Sequence, residues 1–279
     1  MNGISNMKNL KESAKSKGVV IFAFNSAHVD YVGIADQTSK LIEKNLNLPI
    51  TLVTDILANP NFNYDYIIRA ESKEGNFRFA KDGKTYEWRN FDRYRAYDLS
   101  PYDETILMDT DYLVLDDSLL KLFLQPFDYR LMYQMQTPKE LNKDEMGPHS
   151  LPMVWATVAL FRKSSVSKMF FDMVGKIQRN YGYYRNLFGI REGNYRNDFA
   201  FSMANIILNG YTLTPEQSIP WPMTTIEDTI HSLTVTNKFI TAKYQNNADV
   251  ISRQNLHIMD KNYLLSNQFK NFVESVCNE

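Results

Sequence analysis

Asp109 and Asp111 are the residues whose type and spacing most directly suggest chemistry. They stand in Glu104-Thr-Ile-Leu-Met-Asp-Thr-Asp-Tyr-Leu-Val-Leu-Asp-Asp117, after one apolar stretch and before another. In an extended segment the side chains at i and i+2 share a face, so the two carboxylates repel unless positive charge lies between them. A divalent cation, Mg²⁺ or Mn²⁺, shared with the phosphates of a ligand relieves that repulsion. Asp-x-Asp alone is a weak motif. With 19 aspartates in 279 residues, about one such triplet arises by chance. Position adds weight, because open α/β sheets collect ligands at the carboxyl ends of their strands. A solvated turn is the alternative.

The elements that must position this pair read as α/β. Val19-Val-Ile-Phe-Ala-Phe24 predicts a buried strand emptying into a loop at Asn25-Ser26. Asp30 then predicts a helix cap, and Val32, Ala35, Leu41, Ile42 and Leu46 follow at about helical spacing before Pro49. Residues 50–54 give a second strand ending in Asp55, and residues 66–68 a third. Strand, helix, strand in that order demands a parallel sheet, because parallel neighbours need a long connection. Residues 77–80 and 85–86 around Asp82-Gly83 predict a hairpin, either a flap over a site or a surface excursion. A helix carrying Arg89, Arg93 and Arg95 is expected over 89–99, ending before Ser100-Pro101. Beyond the carboxylates, 130–135 and 154–161 read as strands, and Ser164 caps a helix to about Tyr181. A further helix over 194–208 closes at Asn209-Gly210. After Tyr211 the sequence looks irregular until a terminal helix over 262–276.

Composition fixes the class. Residues 19–279 read as a single domain behind a polar, lysine-rich lead at 1–18, with no stretch near the roughly 18 apolar residues of a membrane span. The lead has no apolar run to serve as a secretory signal, so the expected location is cytoplasmic. The single cysteine, Cys277, excludes an internal disulfide and a multi-cysteine zinc site. Net charge is -1, so a polyanion has to be held by a local patch. The stretch Arg179-Asn-Tyr-Gly-Tyr-Tyr-Arg185, with Arg191 and Arg196, is either such a grip for phosphates and a displaced base or a solvated helix end.

Arg93-Tyr-Arg-Ala-Tyr-Asp-Leu-Ser-Pro-Tyr-Asp-Glu-Thr-Ile-Leu-Met-Asp-Thr-Asp-Tyr-Leu-Val114 resembles the central segment of GT-A glycosyltransferases, especially the glycogenin and galactosyltransferase-like family eight. There an arginine-bearing helix, a proline, a strand and Asp-x-Asp occur in this order at nearly this spacing. The resemblance implies an open, mostly parallel twisted sheet with flanking helices and an irregular C-terminal segment. It also implies metal-dependent transfer of a sugar from a nucleotide-sugar, a UDP-sugar being favoured, with retention at the anomeric carbon. By that resemblance Arg93 touches the donor diphosphate or the first aspartate, Asp111 binds the metal, and Asp109 binds both metal and donor.

The family also takes a late histidine as a metal ligand, followed by a lysine on the diphosphate. Leu256-His-Ile-Met-Asp-Lys261 supplies His257 and Lys261, although the intervening glycine is absent and the lysine comes two positions early. Asn194-Tyr-Arg-Asn-Asp-Phe-Ala-Phe201 resembles the segment whose carboxylate reaches the donor sugar or the acceptor hydroxyl, which makes Asp198, with Asn197, the catalytic candidate. A helix cap or a first-turn charge is the alternative reading of Asp198. Phe24, Asn25 and Asp55 fall where the template places nucleoside contacts, and Arg89 joins the donor-binding set. Trp155-Ala156-Thr157 stands where the family has Asn-Ala-Gly, so the floor of the sugar pocket is expected to differ.

The chain also looks like glycosyltransferase-like proteins of large tailed bacteriophages, some of which decorate hydroxymethylated bases of DNA. That likeness implies a DNA acceptor, with glycan or protein as alternatives. Two other readings stand. A nucleotidyltransferase making a nucleotide-sugar would carry a glycine-rich basic loop after the first strand, and Phe24-Asn-Ser-Ala-His-Val-Asp30 contains no glycine. A non-enzymatic carbohydrate- or nucleic-acid-binding module would stack Trp88, Trp155 and Trp221 on its ligand.

Overall fold

The computed structural model describes residues 17–70, 76–79, 85–89, 92–142, 145–148, 151–191, 193–210 and 215–279. Its centre is a six-stranded sheet of β1 (Lys17–Ala23), β2 (Ile50–Asp55), β3 (Tyr66–Ala70), β4 (Glu104–Met108), β5 (Tyr129–Met132) and β6 (Trp155–Arg162), in the order β3-β2-β1-β4-β6-β5. The pairs β1–β2, β2–β3 and β1–β4 are parallel, whereas β6 runs antiparallel to both its neighbours. The protein is therefore mixed α/β with a mostly parallel central sheet and flanking helices. The strand expected to begin at Val19 starts at Lys17, so two residues of the polar lead belong to the sheet and the rest of it, 1–16, lies outside the described residues.

Apolar runs without alternation form the central strands because both faces are covered. Val20 and Phe22 of β1 pack with Phe170, Val174 and Phe201, on helices α2 (Ser165–Arg179) and α3 (Asn197–Leu208). Val19 and Ile21 pack on the opposite face with Val32, Ala35 and Ile42 of α1 (Tyr31–Leu46). Each of the two longest helices begins as its sequence dictates. The side chain of Asp30 accepts from the Gly33 amide, and that of Ser164 from the Ser167 amide.

Gly18 shows how tightly β1 is packed: a Cβ there would lie 2.4 Å from carbons of the Tyr102 ring. That ring is fully buried, and its hydroxyl accepts from Thr51 Oγ1 at 2.8 Å. Gly18→Ala is therefore expected to lower the unfolding free energy by about 3 kcal/mol through overpacking, measured by urea denaturation.

Three expectations need correction. The helix expected over 89–99 is a 3₁₀ turn at Asp92–Arg95 followed by one α-turn at Ala96–Leu99, and Arg89 lies before it. The segment after Tyr211 is not irregular. Met223–Ile226 and Leu256–Ile258 join Tyr112–Leu113, Met135–Gln136 and Leu141–Asn142 in a five-stranded sheet, and Ser232–Val235, Phe239–Lys243 and Ala248–Ser252 form an antiparallel meander. The terminal helix is two helices, Lys261–Leu264 and α4 (Asn267–Cys277), separated where Ser266 caps the second. The expected hairpin pairs Asn76–Phe79 with Thr85–Trp88 antiparallel, and its Asp82-Gly83 turn lies outside the described residues. Among the described residues no helix is long and apolar enough to cross a membrane.

Candidate active site

The carboxylate pair forms the junction between the two main sheets. β4 ends at Met108, the Asp109 amide donates to Thr157 O of β6 at 2.8 Å, and Tyr112–Leu113 then pairs antiparallel with Leu256–Ile258. That pairing sets His257 opposite Tyr112 and so brings the histidine beside Asp111. Asp109 and Asp111 both line one cavity of about 290 Å³ at the carboxyl edge of the parallel strands, together with Phe24, Arg89, Arg93, Asn197, Asp198, His257 and Lys261.

Each carboxylate carries its own cationic side chain. Arg93, whose side chain is 1% exposed, bonds Asp109 Oδ1 through Nη1, while its Nε and Nη2 are buried without a partner. Lys261 pairs with Asp111 Oδ2 and also donates to Ile258 O at 3.3 Å. His257 Nε2 lies 3.6 Å from the same Asp111 oxygen, and its Nδ1 lies 3.3 Å from Thr225 Oγ1. Exclusion from water pushes the Asp109 carboxyl up to about 6; Arg93 opposes the rise, and the charge of Asp111 adds to it. Burial works to raise Asp111 as well, but Lys261 and His257 outweigh it and hold that carboxyl well below the usual range.

The repulsion that argued for a divalent cation is thus met by Arg93 and Lys261. Among the described residues no group of three or more His, Cys, Asp or Glu forms a metal-holding cluster. The donor chemistry nevertheless fits a cation. Asp111 Oδ1 is buried with no partner among the described residues, and a Thr225 contact at Nδ1 leaves His257 Nε2 on the carboxylate side.

At the other end of the cavity β6 bulges. Trp155 pairs with Met132 but Ala159 with Leu131, so residues 156–158 are extra on β6 relative to β5, and Ala156 and Thr157 line the site. The bulge is tied to α3: the Val154 amide donates to Ser202 Oγ at 2.7 Å and the Ala156 amide to Asp198 Oδ1 at 3.0 Å. Asp198 Oδ2 accepts from Arg196 Nη2 at 2.8 Å. Asp198 is therefore no helix cap, but it is the acidic residue in the first turn of α3, whose cap position, Arg196, makes no side-chain cap bond. Asn197 is buried, and its Oδ1 accepts from Tyr195 Oη at 3.1 Å. Asp198→Ala strips the bulge amide of its acceptor and is expected to cost about 2 kcal/mol. Asp198→Asn keeps an oxygen for the Ala156 amide and should cost less than half as much in the same urea titration.

Asn25 and Asp55 are not brought into this cavity. They line a more open one of about 640 Å³ beside it, which shares Arg89 and is walled by Ile56 and Leu57. Asn25 Oδ1 accepts from the Val32 amide at 2.9 Å and so helps to start α1. Burial raises the Asp55 carboxyl, and Arg89 opposes that rise. Arg89 itself pairs with Glu87 at 3.0 Å. In the basic stretch, Arg179 lies 5.8 Å from the Tyr94 ring centroid and Arg185 donates to Arg191 O at 3.1 Å, while Arg196 lines the cavity.

Tyr31 and Met259 also line the cavity and were not singled out for it, whereas Trp155 was placed at the floor of the sugar pocket and lines it too. Tyr31 opens α1 directly after the Asp30 cap, at the end of the loop after β1 that nominated Phe24, so the topological rule could have found it. Nothing local marks Arg196 as an ion-pair partner of Asp198.

No family model and no curated protein matches the sequence. Among solved structures, the glycosyltransferase GlyE of Streptococcus pneumoniae TIGR4 aligns at 15% identity over 72% of this chain, with TM-score 0.38. This chain spans 44% of the GlyE chain's length. An active-site mutant of LgtC aligns at 13% identity over 68% of this chain and 70% of its own, with TM-score 0.45. Mouse xyloside xylosyltransferase 1 aligns at 12% identity over 72% and 83% respectively, with TM-score 0.43. All three TM-scores lie below 0.5, and the functional reading rests instead on the residues of the site.

Proposed function

We propose that the chain is a GT-A-type glycosyltransferase that moves a sugar from a nucleoside diphosphate, a UDP-sugar being favoured, to a hydroxyl acceptor. The observation that carries this reading is the meeting, in one cavity at the carboxyl edge of the sheet, of Asp109 and Asp111 with Arg93 and Lys261. Acids for a cation and bases for its diphosphate are what such a donor requires. Asp111 through Oδ1, Asp109 and His257 Nε2 would hold Mn²⁺ or Mg²⁺, an imidazole beside carboxylates suiting Mn²⁺ better. When bound, that cation neutralises the charge gathering on the departing diphosphate.

The side chains supply the rest. Arg93 offers to donor oxygens the N–H groups of Nε and Nη2, which have no partner among the described residues. Lys261, exchanging Asp111 for the diphosphate, adds a second positive charge. Asp198 acts as a positioning residue, since its two oxygens already hold the Ala156 amide and Arg196. That occupancy disfavours a general base at this end of the cavity and supports retention, in which the acceptor proton passes to the leaving diphosphate oxygen.

DNA carrying a hydroxymethylated base is the acceptor we place first, ahead of glycan or protein; the exposed Lys176, Arg179 and Arg191 supply charge for phosphates nearby. The test is UDP release from UDP-sugars with Mn²⁺, with hydroxymethylated DNA, unmodified DNA, oligosaccharides or proteins as acceptor. Anomeric configuration of the product is read by NMR. Failure of every donor to turn over with every acceptor and with water sinks the enzymatic reading. Turnover on glycan or protein alone sinks only the DNA assignment, and an inverted product sinks retention.

A further inference from the structure

The β6 bulge presents an aromatic side chain to the stretch of cavity between the Asp111–His257 and Asp198–Arg196 charges. Trp155 is half-buried and lines the same wall as Ala156 and Thr157. Its ring centroid is 6.4 Å from that of His257, with the planes 55° apart. The backbone on either side is fixed, because the Val154 amide is held by Ser202 Oγ and the Ala156 amide by Asp198 Oδ1. Trp155 is thus pre-positioned between the Asp111–His257 end and the Asp198–Arg196 end of the cavity.

A pyranose presents an apolar C–H face edged by hydroxyls, and an indole edged by polar side chains is its complement. A sugar joined to a diphosphate held at Arg93 and Lys261 has to lie in this cavity. We infer that Trp155 is the stacking wall for the transferred sugar, selecting a donor whose sugar is a pyranose with an unhindered C–H face. This rests on the proposed nucleotide-sugar site and adds to it the residue that recognises the sugar half.

The readout is the affinity ratio of a UDP-sugar to UDP, both titrated with Mn²⁺ by calorimetry. UDP-glucose, UDP-galactose, UDP-N-acetylglucosamine and UDP-xylose are the probes, against wild type and Trp155→Phe, Trp155→Leu and Trp155→Ala. UDP affinity within about twofold of wild type shows that each variant keeps an intact nucleotide site. For the UDP-sugar that wild type binds best, the ratio is expected to fall about tenfold in Trp155→Ala, less in Trp155→Leu, and to be largely kept in Trp155→Phe. Addition of that UDP-sugar, but not UDP, should also shift tryptophan emission in wild type and not in Trp155→Phe, although Trp88 and Trp221 remain.

A ratio equal in all four proteins overturns the inference and leaves the nucleotide site standing. So does a wild type that binds none of the four better than UDP. A wild type that binds no UDP at all removes the proposed function itself.

Discussion

Asp111→Asn is expected to lower Mn²⁺-dependent sugar transfer by about a thousandfold, the scale of losing a main electrostatic contact in a preorganised site. Asp111 is the point where the site's donors meet: Oδ2 takes Lys261 and faces His257, while Oδ1 has no protein partner. An amide cannot supply the charge, and its NH₂ group would oppose a cation on one side. The fold should tolerate the change. Lys261 keeps its bond to Ile258 O and its side chain is 23% exposed, so it is not left as a fully buried, unpaired charge. Steady-state UDP release and a melting curve separate the two effects. Transfer within tenfold of wild type would mean that Asp111 does not hold the metal.

Arg93→Met is expected to weaken UDP-sugar binding about a hundredfold, the magnitude of deleting a charge-assisted contact in a desolvated setting. It should also destabilise the protein by about 1–2 kcal/mol. The stability cost is moderate because Asp109 is 27% exposed and its carboxyl, already near 6, can take up a proton when its partner is removed. Arg93→Lys should not rescue binding. The three N–H groups of an ammonium splay from one nitrogen, so lysine cannot bond Asp109 and at the same time aim donors where the Nε and Nη2 of Arg93 lie. Calorimetry with UDP-glucose checks affinity and urea denaturation checks stability. Full affinity in Arg93→Lys would show that only the charge matters and that the guanidinium geometry does not.

The sequence made some of this legible for definite physical reasons. β1, β2 and β4 are buried on both faces, so their side chains are mostly apolar with only threonines among the buried polar ones, and their loops place Phe24, Asn25, Asp55 and Asp109 at one edge. Asp30 and Ser164 were readable as caps because capping is local chemistry, complete within three residues. The C-terminal sheet was not readable. Its strands are two to five residues long, and those of the meander alternate exposed and buried positions with threonines and serines on the outside, which resembles loop composition. The arginine helix failed because Arg89, Arg93 and Arg95 say nothing about how the turn starts, and only Ala96–Leu99 is α-helical before Ser100-Pro101. Asp198, nominated as catalytic, lines the cavity, but its hydrogen bond to Ala156 joins positions 42 residues apart and was not readable. Lys261 came two places early for the family's pattern yet reaches Asp111, because the lysine begins a helical turn right after the strand that carries His257.

The central claim is that Asp109 and Asp111 form a metal-dependent nucleotide-sugar site. Isothermal titration of UDP and UDP-glucose into the purified protein, with and without Mn²⁺, tests it most directly, alongside the Asp109→Ala, Asp111→Ala double variant. Binding that appears only with Mn²⁺ and is absent from the folded double variant is the predicted result. Equal binding with and without the metal, or binding that survives in the double variant, would contradict it.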